Sequence, residues 1–218
     1  WHGLVGYHLQ HSDYQALGEE AFTPDSKTLT HALFMLEEKQ FGNLSAQLGG
    51  RIERTKHDAD ALALGHDDVL VNGIADRFAA VSASAGVVWE FVPGFSWALA
   101  VSRSERAPSA AELYSNGAHI ATSSYELGLM YQLHDGELEL SEQKAKKETA
   151  NNIDITFRSF KGDLSFTYNF FYNKVHNYLY LADTGLTMAD LEAGHGNETD
   201  EEDHSHEDFG LYQYQQQD

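Results

Sequence analysis

From Leu164 to Phe170 the chain reads Leu-Ser-Phe-Thr-Tyr-Asn-Phe, with every even position apolar and every odd one polar. A period of two sends successive side chains to opposite faces, so the segment is predicted to be a strand with two unlike sides. The same rhythm recurs in Ile153-Asp154-Ile155-Thr156-Phe157-Arg158, in Leu44 to Leu48, and in Trp97, Leu99 and Val101 against Ser96, Ala98, Ala100 and Ser102. Between Arg77 and Phe91 the odd positions are apolar, while the even ones carry Ser82, Ser84, Gly86 and Glu90. Eight strands are predicted, at 1–10, 28–40, 44–56, 77–91, 95–104, 148–160, 163–178 and 209–218. The second is the least regular, because Phe34 and Leu36 fall out of phase with Leu33 and Met35.

The connections are more telling than the strands. Tight links are expected at Phe41-Gly42-Asn43, Val92-Pro93-Gly94 and Lys161-Gly162, each with hairpin turn residues, and every other link is long. In an up-and-down meander, this alternation places the long loops at one end and the tight turns at the other. Long alternating strands with loops of that asymmetry are expected of an all-β, antiparallel transmembrane β-barrel. A soluble sandwich would favour strands of about five or six residues. Phe41, Phe91, Phe95 and Phe160, near the tight turns, fit an aromatic girdle at a membrane interface.

Charge narrows the function. With 34 acidic against 14 basic residues the formal net charge is -20, which excludes nucleic acid as a partner and favours cations. There is no cysteine, so a bound metal would need imidazole and carboxylate ligands. No apolar run reaches the length of a transmembrane helix, and the first residues lack the features of a signal peptide. Both ends fall in strand-like sequence, so a fragment of a longer protein is expected. No nucleophile and base pairing, HExxH or phosphate-binding glycine loop is found, so no enzymatic activity and no catalytic cofactor are expected.

The stretch Arg106-Ala107-Pro108-Ser109 followed by Glu112-Leu113-Tyr114 resembles the "RAPS…ELY" box of TonB-dependent outer-membrane receptors. Thr122 to Gly128, "TSSYELG", resembles that family's strand re-entry, and Glu148 to Asp154 resembles its "E-x-S-x-N-x-D" strand start. The resemblance implies that residues 1–218 belong to the barrel domain and supply about eight strands of a barrel of about 22. It implies a plug and barrel ends outside this chain, outer-membrane lipid and the TonB complex as partners, and a bacterial outer-membrane location. Pro108 would fix the backbone at the loop base, and Glu105, Arg106 and Glu112, beside Tyr114, would form a salt-bridged structural brace. Haem receptors of the family carry a histidine after the box, where this chain has His119; Leu129-Met130-Tyr131-Gln132 replaces their "NPNL".

Residues 190–208 read DLEAGHGNETDEEDHSHED, without a basic residue. His204 and His206 are spaced to face one side of an extended loop, with Asp203 and Glu207 beside them and His195 as a further donor, a ligand set suited to Zn²⁺. The expectation is uptake of zinc or a similar divalent metal, captured by this loop and passed toward His119. The alternatives are haem or iron-siderophore uptake, with His119 on iron, and a complete eight-stranded structural or adhesive barrel.

Overall fold

The computed structural model describes residues 1–17, 22–64, 69–134, 137–163, 165–193 and 209–218. In chain order the elements are β1 (His2–Tyr14), β2 (Ser26–Phe41), β3 (Leu44–Leu64), β4 (Val69–Val92), β5 (Phe95–Arg106), α1 (Ala110–Tyr114), β6 (Asn116–His119), β7 (Ser124–Leu127), β8 (Tyr131–His134), β9 (Glu137–Leu140), β10 (Glu148–Ser159), β11 (Phe166–His176), β12 (Tyr178–Thr187), α2 (Met188–Ala193) and β13 (Gly210–Gln217). A seven-stranded sheet runs β1-β2-β3-β4-β5-β10-β11, antiparallel throughout. A four-stranded sheet runs β12-β13-β7-β6, and β8 pairs with β9.

Cross-strand register sorts the side chains of the large sheet. Leu33 faces Ile52, which faces Val81; Val87 faces Leu99, which faces Ile155 and then Phe170. These rows make one continuous apolar face, on which Leu33, Ile52, Val81 and Phe170 are 52%, 58%, 53% and 66% exposed. Apolar surface so broad and uncovered needs a partner, and lipid is the partner of a spanning barrel. On the opposite face, Ser84 pairs with Ser102, Ser102 with Asn152 and Asn152 with Asn173.

The tight turns lie at one end, as the alternation of links requires. Gly42 opens one at φ +61, and Gly94 follows Pro93 at φ +86 in another; left-handed backbone there favours glycine. Beside these turns the rings of Trp89, Phe91, Phe95, Trp97, Phe157 and Phe166 form a chain of contacts, with Trp97 and Phe157 centroids 4.7 Å apart. Phe160 is exposed in the link that follows β10.

Three expectations are corrected. The predicted long loop between strands ending at 56 and starting at 77 is instead ladder, since β3 and β4 stay paired out to Leu64 and Val69. The strand predicted over 163–178 ends at His176, because Asn177 turns the backbone at φ +50 and starts β12 as a separate strand. The strand predicted at 209–218 pairs with β12 and β7 and not with the large sheet, so seven of the eight predicted strands form that sheet. Among the described residues β1 and β11 are open edges, so no closed eight-stranded barrel forms.

Candidate functional site

After Arg106 the chain folds inward. Pro108, Ser109 and α1 start a segment whose side chains pack on the inner face of β3 and β4, above the apolar band. Leu113, Tyr114, Leu127, Tyr131 and Leu211 are buried there together with Ala59 and Leu62, and Ile74 and Phe78 flank them. The loop region thus has its own core, seated on the strand extensions that replace the predicted loop.

The local sequence explains how α1 begins. The Ser109 hydroxyl accepts from the Glu112 N–H at 3.2 Å, and the Ser109 N–H donates to the Glu112 carboxylate at 2.6 Å, so two helix-terminal donors are satisfied reciprocally. The same carboxylate receives Arg106 in a two-pronged pair, Nη1 to Oε2 at 2.8 Å and Nη2 to Oε1 at 3.1 Å. Arg106 also reaches Glu148 at 3.4 Å, and Glu148 accepts from the Leu179 N–H at 3.0 Å. One guanidinium therefore ties β5, α1, β10 and β12.

Glu105 lies apart from this cluster. It alternates to the outward face, where it meets Lys147 at 2.6 Å and Arg103 at 3.3 Å and accepts from the Val81 N–H at 2.9 Å. The expected three-residue brace is replaced by Arg106 with Glu112 and Glu148, because adjacent residues of a strand cannot share a face.

Burial would raise the Glu112 carboxyl, but the Arg106 guanidinium and the bonds at Ser109 outweigh it and hold the group below its usual value of 4.5. A depressed carboxyl contributes stability above its unfolded pKa and loses it as pH falls through the folded one. Loop stability should therefore decline on acidification below about pH 4.5. Replacing Arg106 by Ala should cost about 1–2 kcal/mol near neutral pH, between exposed and buried pairs, and acidification should then narrow the gap from wild type. Loop proteolysis followed against pH in both proteins checks this; parallel profiles would contradict it.

Two further contacts anchor the box. His57, buried, takes part in hydrogen bonds with Thr28 Oγ1 at 2.9 Å and the Pro108 carbonyl at 3.0 Å. The Tyr114 hydroxyl donates to Asp76 at 2.7 Å, and burial first, then this carboxylate, raises its pKa. Neither His57 nor Asp76 carries a signal of these partnerships in the sequence; only the long β3–β4 ladder brings them under the box.

His119 closes β6. Its Nδ1 lies 2.8 Å from Glu126 Oε1 and its ring stacks on Phe22 at 4.7 Å. Glu126, buried, also accepts from Ser124 at 3.4 Å and Tyr214 at 3.5 Å. The segment at Phe22 is held by a bond from the Asn116 N–H to its carbonyl at 2.7 Å; a Cβ at Gly117 would stand 2.8 Å from Phe22 Cα. Glu126 and Phe22 carry no signal of a role in the sequence, since β6–β7 pairing alone opposes Glu126's strand to that of His119. Asp203, Glu207, His195, His204 and His206 lie outside the described residues. Among the described residues, no three His, Cys, Asp or Glu side chains gather to hold a metal ion.

The family model for the TonB dependent receptor-like β-barrel matches residues 1–218, the whole chain. The chain belongs to the TonB-dependent receptor β-barrel family. Proteins of this family are outer-membrane receptors and transporters of bacteria, not enzymes. A solved structure of the Serratia marcescens hemophore receptor HasR, a double mutant in complex with its hemophore HasA and haem, is similar in fold at a TM-score of 0.60 and 17% identity. The match covers 97% of this chain and 33% of the receptor, so the chain spans about a third of that protein's length. No helix among the described residues is long and apolar enough to cross a membrane, and the spanning elements of this family are strands.

Proposed function

We propose that this chain forms the ligand-capturing side of a TonB-dependent uptake receptor in the bacterial outer membrane, and that the captured ligand is haem, held through His119. The observation that carries this is the carboxylate behind the imidazole: Glu126 engages Nδ1 at 2.8 Å while Phe22 fixes the ring plane. A histidine oriented in this way through one nitrogen presents the other to a metal. The likeness in fold to a hemophore receptor agrees with this reading. Transport itself would use a plug and the TonB complex, both contributed outside residues 1–218.

Haem titration of the intact receptor, followed by its Soret band, tests the proposal. His119→Ala should weaken binding at least about tenfold, the scale of losing one metal ligand, and Glu126→Gln should weaken it less and shift the band. Unchanged binding in His119→Ala would overturn it. The zinc reading rests on His195, His204, His206, Asp203 and Glu207; saturable zinc binding, without a haem response and lost on replacing the three histidines, would put zinc in place of haem.

A further inference from the structure

The sheet face that carries His119 continues past Glu126. Strand β13 runs parallel to β7 with Tyr212 opposite Glu126, so the alternate residues Tyr214 and Gln216 extend the same face. The Tyr214 hydroxyl accordingly reaches Glu126 at 3.5 Å. Beside Tyr214 and Gln216 lies a cavity of about 380 Å³, bordered on another side by the segment that leads into β10. Its volume falls in the range of small-molecule sites, and two of its lining residues are cations, Lys144 and Lys146.

The neighbouring contacts fix how these cations are presented. Lys147, next in sequence, turns to the outward face, where its Nζ stands 2.6 Å from Glu105. Lys146 lines the cavity instead, and the Gln216 side chain clamps its backbone: the Lys146 N–H donates to Oε1 at 2.8 Å, and Nε2 donates to the Lys146 carbonyl at 2.7 Å. Lys144 lies two residues away, so the two Cα atoms are at most about 7 Å apart. Neither lysine makes an ion pair among the described residues. Asp218, the carboxylate among the lining residues, accepts from the Asn177 N–H at 3.1 Å and lies 3.7 Å from His176. In a chain of net charge -20, two ammonium groups left without an acid in one cavity mark a place for anionic groups.

We propose that Lys144 and Lys146 receive the two propionates of a haem whose iron is held by His119. The inference rests on the haem reading above and adds an orientation to it, with the carboxylate edge of the macrocycle turned toward Gln216. Haem carries both carboxylates on one edge, so two cations close together in the chain match them in number, sign and spacing. From Tyr212, opposite Glu126, to Gln216 is four residues, about 13 Å of strand, a gap spanned by half of the macrocycle, a propionate arm and an extended lysine side chain. Tyr214 lines the cavity and meets Glu126, so one side chain borders both halves of the site. Ammonium–carboxylate bonds are charge-assisted and gain strength where a cavity wall excludes water.

Soret titration of the intact receptor with haem and with haem dimethyl ester, which lacks the two charges, tests this. Wild type should bind haem at least about tenfold more tightly than the ester. Lys144→Gln with Lys146→Gln should remove that preference. It should weaken haem at least about tenfold, leave the ester within about threefold, and leave the Soret maximum of the haem complex unmoved, because His119 still coordinates. Lys144→Arg with Lys146→Arg, which keeps the charge, should hold haem within about threefold of wild type. Haem affinity unchanged in the glutamine pair, or haem and ester weakened alike, would overturn the inference and leave His119 as the ligand. His119→Ala without effect would overturn the haem reading itself, and this inference with it.

Discussion

Leu113→Ala should unseat the loop core while the strands below it stay paired. Leu113 is fully buried at the centre of the cluster that joins α1 to Leu62, Leu127, Tyr131 and Leu211. Removing most of a buried leucine forfeits its transfer free energy and leaves a cavity, together about 2–5 kcal/mol. The neighbours cannot close the gap easily, because Tyr114 is tied to Asp76 and Gly128 lies against the Leu113 backbone. The loss falls on residues 107–147 and on the β12–β13 hairpin, whose Leu211 shares the core. Limited proteolysis of the folded receptor should show cleavage in 107–147 at least ten times faster than wild type, with heat-modifiable mobility retained. Equal cleavage rates would show that the loop is held by its hydrogen bonds and not by its core.

Gly128→Ala is the second large effect, and it acts through the backbone. A Cβ at this position would overlap the Leu113 carbonyl and crowd Tyr114 N. The space is closed because Gly128 N donates to the Ser115 carbonyl at 2.7 Å while Leu129 N and Met130 N donate to the Glu112 and Leu113 carbonyls at 2.9 and 3.0 Å. The obstacle is main chain, which has no rotamer to yield, so the cost should reach the upper end of about 1–3 kcal/mol for overpacking. The sign is opposite to that of a glycine whose backbone alanine can adopt without strain, where the substitution stabilises through the unfolded state. Hydrogen exchange of the α1 and β7 amides checks it: protection should fall at least tenfold in Gly128→Ala. A methyl accommodated without loss of protection would mean that the two segments separate freely.

Both effects arise in or against the box that the sequence marks by its residue types. Ser109 and Glu112 stand at capping-box spacing, and Arg106 is expected to meet Glu112 at the loop base, where it makes a two-pronged pair. Glu105 is grouped with them by nearness in sequence and separates from them in space, because a strand sends neighbours to opposite faces. Glu148, 42 residues from Arg106 in the chain, completes the cluster through β5–β10 pairing.

What the sequence by itself determined is the large sheet. Period-two alternation, long strands and turn residues at one end are local properties, and they specify which residues face out and where the chain reverses. What only the tertiary structure decided is everything seated on that sheet at the mouth: the continuation of β3 past Lys56 and the start of β4 before Arg77, the transfer of β13 to a second sheet, the inward packing of α1, and the pairing of His119 with Glu126. These rest on contacts between segments that meet only in the folded chain, whose free energy comes from burial and register that no local pattern encodes.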